Sequence, residues 1–261
     1  MHSFEYQTYD ISYKINGTGP VLLLIHGFLE DHTIFKEISV YFQKDYQIIE
    51  IDLPGHGLSK TINQPITMDQ IGHIIGALIE KLQLKMVTII GHSLGAYVGL
   101  ATIRNFPSLV NGICIFHATA NNDTEEKKIN RNRAIELVEQ NQSRFLSSFI
   151  PNLFAKENVQ QYQSEILTLM ERSQSIASSS IIRIIESMRD RADERKTLKD
   201  FKGNKHYIIG KEDPVVACTD LRAQASETDA SYTILENTGH MGFIEAKEAV
   251  IISLEKFLEK N

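Results

Sequence analysis

The chain has 261 residues, 42 % of them hydrophobic, enough to bury one sizeable core and pointing to a single domain with an insertion. Its 27 Lys and Arg against 33 Asp and Glu leave a formal charge of -6, which argues against nucleic acid, since phosphate neutralisation needs a clustered basic surface. No apolar stretch approaches the roughly 20 residues needed to cross a bilayer, and the start Met1-His2-Ser3-Phe4-Glu5-Tyr6 lacks the basic and apolar segments of a signal peptide, so a cytoplasmic protein is expected.

Residues 4–16 alternate enough for two edge strands. Val21 to Ile25 reads as a short buried strand, and Gly27 in the following His26-Gly27-Phe28 lets the chain turn sharply. His26 is expected to hydrogen-bond within that turn rather than to act as a base. A helix over 33–43 precedes a second buried strand, Ile48 to Ile51, which runs into Asp52-Leu53-Pro54-Gly55-His56-Gly57-Leu58-Ser59. Pro and Gly make this a rigid turn, with Asp52 expected to accept from its backbone amides. Gly55-His56-Gly57 fails as a dinucleotide fingerprint, because no third glycine follows in register and no helix opens there. Next come a helix over 67–83, the apolar run Met86 to Ile90, and the pentapeptide Gly91-His92-Ser93-Leu94-Gly95 opening a helix over 94–105.

That G-x-S-x-G pattern between a strand and a helix presents a serine on a sharp, strained turn, with glycines leaving room for strand and helix to pass close. The Leu94 N–H at the helix start then points to where a tetrahedral intermediate carries its negative oxygen, and the turn after Gly27 brings the Phe28 N–H beside it. A fourth buried strand spans Gly112 to Phe116. Between 118 and 196 the alternation stops and helical patterns take over, an inserted cap. In it Ile181, Ile185 and Met188 share one helix face, read as packing. Phe145, Phe149, Leu153 and Phe154 are candidates to roof the site, and Lys127, Lys128, Arg131 and Arg133 form a solvated face balanced by Glu125, Glu126 and Glu136. Arg189 and Arg191 are expected to pair with surface acids rather than meet an anionic substrate.

The late part of the chain supplies acid and base. Tyr207 to Ile209 is a strand ended by Gly210, and Asp213 stands before Pro214, whose ring biases it to extended backbone. A helix over 216–228 and a strand at Thr233 to Leu235 lead to Thr238-Gly239-His240-Met241-Gly242 and a last helix over 245–259. An imidazole near neutrality takes the Ser93 proton and returns it to a leaving group, while ionised Asp213 orients it. Asp123 is the competing carboxylate. No His pair has metal-binding helix spacing and no Cys cluster exists, so neither metal nor cofactor is expected. Cys114 and Cys218 read as two reduced thiols.

On His26-Gly27-Phe28, Asp52 to Gly57, Gly91 to Gly95, Gly210 to Pro214 and Gly239-His240, in that order, the chain resembles the α/β-hydrolase family, small members with a helical cap. The resemblance spans nearly all of residues 10–260 and is weakest over 118–196. It implies a mostly parallel eight-stranded sheet flanked by helices, with residues 1–117 and 197–261 as core and 118–196 as cap. It also implies a Ser93-Asp213-His240 triad with Phe28 and Leu94 as oxyanion donors. Family members that open epoxides have aspartate where Ser93 stands, and dehalogenases need tryptophan, which this chain lacks. Perhydrolases often carry Trp where Phe28 stands. The expected activity is cleavage of a carboxylic ester or related small acyl substrate, with no nucleic-acid or membrane partner. A slow-turnover, ligand-binding signalling protein and a C–C bond hydrolase or lyase of the same fold are the alternatives.

Overall fold

The computed structural model describes residues 1–259; Lys260 and Asn261, the last two residues of the expected core segment, lie outside them. Eight strands form one sheet: β1 (His2–Tyr6), β2 (Tyr9–Asn16), β3 (Val21–Ile25), β4 (Gln47–Ile51), β5 (Val87–His92), β6 (Val110–Phe116), β7 (Asn204–Gly210) and β8 (Ser231–Leu235). Their order is β1-β2-β4-β3-β5-β6-β7-β8, with β1/β2 and β2/β4 antiparallel and every other pair parallel. This is the mostly parallel eight-stranded sheet that the sequence predicts. Only one of the two N-terminal strands is an edge: β2 pairs with β1 on one side and β4 on the other, so the hairpin leaves β1 outermost.

Because helices cover both faces, the central strands read as unbroken apolar runs rather than alternating ones. Leu22 to Ile25, Ile48, Ile49, Ile51, Ile89, Ile90 and Ile113 to Phe116 are all essentially excluded from solvent. The flanking helices are α1 (Lys36–Phe42), entered through a short 3-10 turn at His32–Phe35, α2 (Met68–Lys81) and α3 (Leu94–Asn105). α2 begins with a capping box in which Thr67 and Gln70 satisfy each other's backbone N–H groups. It packs on α3 so closely that a Cβ at Gly72 would stand 2.9 Å from Ala101.

No strand interrupts the stretch between β6 and β7, which folds as α4 (Glu125–Phe149), α5 (Gln163–Gln174), α6 (Ser178–Arg189) and α7 (Arg195–Asp200). α4 is two helices joined at Asn141, whose backbone is extended (φ -164, ψ 93) and whose side chain caps the second half through the Arg144 N–H at 2.9 Å. Ile181, Ile184, Ile185 and Met188 are buried, and α6 packs against α4. α7 returns to the core and rests on α3. The chain closes with α8 (Cys218–Glu227), α9 (Gly242–Glu245) and α10 (Lys247–Leu258). The helix that the sequence predicts over 245–259 is α10; the short α9 stands before it, separated by Ala246, whose backbone leaves helical geometry (φ -145, ψ 44). Among the described residues no helix is long and apolar enough to cross a membrane. The parallel strands β3, β5, β6, β7 and β8 all end on one side of the sheet, where Phe28, Ser93, His117, Asp213 and His240 lie on the loops that follow them.

Candidate active site

Ser93 sits between β5 and α3 with φ 48 and ψ -112, a left-handed backbone conformation costly for a residue with a Cβ. The glycines two positions either side make the turn possible. A Cβ at Gly95 would stand 2.0 Å from the Ile25 carbonyl oxygen, and one at Gly91 would stand 2.6 Å from the Gly95 backbone. The Ser93 N–H is fixed to the Phe116 carbonyl at 2.8 Å. Its hydroxyl faces His240, with Oγ 2.9 Å from Nε2, and the His240 Nδ1 lies 2.8 Å from Asp213 Oδ2. A proton on Nδ1 therefore goes to the carboxylate, leaving Nε2 bare to accept from the serine.

Asp213 is held by its own loop, its Oδ1 accepting from the N–H groups of Val215 (2.8 Å) and Val216 (3.1 Å). Burial opposes its ionisation, but His240 and His117 outweigh that and hold its carboxyl below the ordinary range. His117 is a second imidazole at this acid: Nδ1 is 3.4 Å from Asp213 Oδ2, and the Gly210 and Gly242 N–H groups point at its two ring nitrogens from 3.0 and 3.2 Å. Burial lowers its pKa to about 4, so the ring is neutral at pH 7. The competing carboxylate, Asp123, is engaged elsewhere, with Arg191 at 2.7 Å and Arg131 at 3.1 Å. Arg191 pairs with an acid as the sequence suggests, but in the interior rather than at the surface, stacked 4.1 Å over the Tyr97 ring. Arg189 pairs with Asp190 at 2.7 Å.

Phe28 follows β3 in a loop knotted by imidazoles. His26 donates from Nδ1 to the Gly27 carbonyl (2.7 Å) and accepts the Leu53 N–H at Nε2 (2.9 Å). His56 donates to the Pro54 carbonyl (3.1 Å) and accepts the Leu29 N–H (3.3 Å), and burial lowers its pKa to about 3. Asp52 joins the two loops, accepting from the His32 N–H (2.8 Å) and the Leu58 N–H (2.9 Å). Among the described residues, the N–H groups of Phe28 and Leu94 have no hydrogen-bond partner although both residues are buried. Buried amides are almost always paired, so two unpaired ones beside the serine turn are available to an incoming oxygen.

The α4 aromatics meet this loop: Phe145 and Phe149 stack at 5.2 Å and their rings lie 6.5 and 5.9 Å from that of Phe28. Leu153 contributes its carbonyl, which accepts the His240 N–H at 2.7 Å, whereas Phe154 packs on Tyr162 instead. A cavity of about 550 Å³ lies between residues 151–159 and the loop at Glu212 and Pro214, but neither Ser93 nor His240 lines it.

Three groups at the site carry no signal in the sequence reading. Glu245 takes the N–H groups of Gly239 (3.1 Å) and Met241 (3.2 Å), the residues flanking His240, on one oxygen, and on the other Ala155 N–H (3.0 Å) and Asn158 Nδ2 (2.7 Å). His117 follows β6, and Glu30 lies two residues past Phe28.

A family model of the alpha/beta hydrolase fold matches residues 20–247. The chain belongs to this family. A pyrrolizixenacetamide deacetylase of Xenorhabdus hominickii is 24 % identical over 266 residues, covering 95 % of this chain and 94 % of the relative. An uncharacterised protein, Mb2734 of Mycobacterium bovis, is 31 % identical over 110 residues, but the match covers 42 % of this chain and only 32 % of that protein's length. Among solved structures, a thermophilic esterase from Thermogutta terrifontis superposes with a TM-score of 0.91 at 24 % identity, covering 97 % of this chain and 94 % of the esterase. This alpha/beta hydrolase thus has esterase-like relatives.

Proposed function

We propose that the protein is a serine hydrolase that cleaves a carboxylic ester or related small, uncharged acyl compound. The observation that carries this reading is the unbroken chain Ser93 Oγ, His240 Nε2, His240 Nδ1, Asp213 Oδ2, with links of 2.9 and 2.8 Å. Ser93 Oγ attacks the acyl carbon as its proton passes to His240 Nε2; Asp213 stabilises the imidazolium, and the oxyanion takes the free N–H groups of Phe28 and Leu94. Collapse expels the alcohol, which receives the His240 proton. Water then enters, loses a proton to the same nitrogen and releases the acid, regenerating Ser93.

An uncharged acyl group is supported by the lining. Phe28, Phe145, Phe149 and Leu153 are apolar, and Arg172, Arg183, Arg189 and Arg191 between β6 and β7 each face an acid, Asp31, Glu186, Asp190 and Asp123, the last shared with Arg131. In this reading the helices between β6 and β7 act as a cap that closes the acyl site. Esterase-like relatives and a deacetylase support acyl transfer to water as the reaction class.

The test is a fluorophosphonate label together with p-nitrophenyl esters of two to ten carbons, run beside Ser93→Ala. Expected are stoichiometric labelling and sustained turnover, both lost in the variant by about 10⁴-fold or more. Undiminished turnover by Ser93→Ala removes the nucleophile assignment. Labelling without turnover replaces the enzyme by a slow, ligand-binding protein.

A further inference from the structure

The mechanism above leaves unused a buried acid-base pair that touches all three segments of the site. His92, inside the serine turn, is 1 % exposed and Glu30, in the Phe28 loop, 6 %. The His92 Nε2 lies 2.9 Å from the carbonyl oxygen of His240, and Nδ1 lies 3.0 Å from Glu30 Oε2. That same carboxylate oxygen accepts the Gly27 N–H at 2.6 Å. We propose that His92 and Glu30 hold one buried proton between them as an imidazolium-carboxylate brace, positioning the Phe28 amide, Ser93 and His240 against one another.

Donor and acceptor accounting carries the assignment. A carbonyl oxygen only accepts, so His92 Nε2 must bear hydrogen to make its bond to His240. Nδ1 then faces Glu30, and a proton there makes the ring an imidazolium. The short bond from the Gly27 N–H to Oε2 is the kind an ionised carboxylate accepts. Burial alone would drive the ring neutral; the charge and hydrogen bond of Glu30 outweigh it and hold the His92 pKa above its ordinary value. Other groups facing His92 are His240, with rings 5.2 Å apart, His117 at 5.9 Å, and more remotely Asp213; Phe116 and Phe243 present only ring edges or faces. The pair is neutral overall, so it can be buried, but without Glu30 the buried ring has to give up its charge, and without His92 the carboxylate loses its counterion.

Position is what the brace controls. Glu30 sets Gly27, one residue before the Phe28 amide; His92 is the residue before Ser93; and the carbonyl it grips belongs to His240. A Cβ at Gly27 would stand 2.6 Å from Glu30 Oε2 and 2.7 Å from His92 Nδ1, so the pair is in contact with that turn. His92 and Glu30 touch no reacting atom and are positioning residues.

Two measurements test this. In protein labelled with ¹⁵N-histidine, a long-range proton-nitrogen spectrum at pH 7.5 should show one ring with both nitrogens protonated, reduced to a singly protonated ring in Glu30→Gln and missing in His92→Gln. A wild-type spectrum with no doubly protonated ring overturns the shared proton, even if neither variant folds. The second measurement rests on the serine-hydrolase reading. Glu30→Gln and His92→Gln should lower kcat on p-nitrophenyl acetate by about 10- to 100-fold while KM stays within about threefold, because misplacement of reacting groups by an ångström costs that much. Full kcat in a folded Glu30→Gln overturns the positioning role. Wild-type protein that takes no fluorophosphonate label at all sinks the Ser93 reading instead, and leaves the spectrum to judge the pair.

Discussion

The serine turn and the histidine loop face each other across 2.9 Å, yet they are held in place by opposite means. Ser93 is fixed from below. Its strained backbone is locked by β5, β6 and α3, through glycines that let Ile25 and Ala96 come within contact distance. The His240 loop is fixed from above and from the side. Its N–H goes to Leu153, its carbonyl to His92, and its neighbours' N–H groups to Glu245, which also holds Ala155 and Asn158 of the insert. The position of Ser93 is a property of the sheet, and that of His240 depends on how the helices between β6 and β7 are seated.

Breaking the serine side should have the largest effect. Gly95→Ala places a Cβ 2.0 Å from the Ile25 carbonyl, and neither backbone can yield, so no folded protein is expected in circular dichroism or size-exclusion chromatography. Gly99→Ala, whose Cβ would meet Ile89 and Ile113 side chains at 3.0 and 3.2 Å, should cost far less. Next comes the acid. Asp213→Asn should lower kcat by about 10⁴-fold with KM little changed, because an amide leaves His240 without its orienting anion. Asp123→Asn should leave kcat near wild type and instead destabilise the fold by about 3–5 kcal/mol, since it strands the buried Arg191; urea unfolding measures this.

The histidine side should respond in graded steps. Glu245→Ala removes acceptors from both sides of the loop and is expected to lower kcat by about 10-fold; Asn158→Ala breaks only the insert's share and should cost about threefold. Equal losses in the two variants would mean that seating of the insert, rather than the loop's own bonds, places His240. The last comparison is of stability against pH. His56 and His117 titrate near 6.5 when unfolded but at about 3 and about 4 when folded, so the unfolded chain binds protons first as pH falls. The stability from these neutral rings is present above about pH 6.5 and is lost as pH falls from there toward 4 and 3. His32 and His92, both raised, act in the opposite sense, with stability present below that pH and lost above it. The two large depressions should dominate, giving a lower Tm at pH 5 than at pH 7.5.

The difference between the two regions also explains what could be read from the sequence. Strand-ending glycines, the G-x-S-x-G turn and the apolar runs of β3 to β7 are local patterns, so the sheet and the positions of Phe28, Ser93, Asp213 and His240 were legible in it. Glu30, His117 and Glu245 were not. Each acts through partners far away in the chain, His92 in one case, Asp213 and Gly242 in another, Ala155 and Asn158 in the third, and an isolated acid or imidazole carries no mark of such a partner. The short α9 was hidden for the same reason: it presents Glu245 to Ala155 and Asn158, and helix propensity has no information about that contact.

Arg191 sets the terms on which the insert could be exchanged. Its guanidinium bonds the carbonyls of Asn121 (2.9 Å) and Met188 (2.7 Å) and the Asp123 carboxylate, so the outgoing and returning strands of chain are riveted side by side above Tyr97. A chimaera cut just before Asn121 and just after Arg191 would carry its own rivet, and for that rivet alone would need an aromatic ring from the recipient. One cut inside those limits would separate the guanidinium from its acceptors and arrive with both ends untethered.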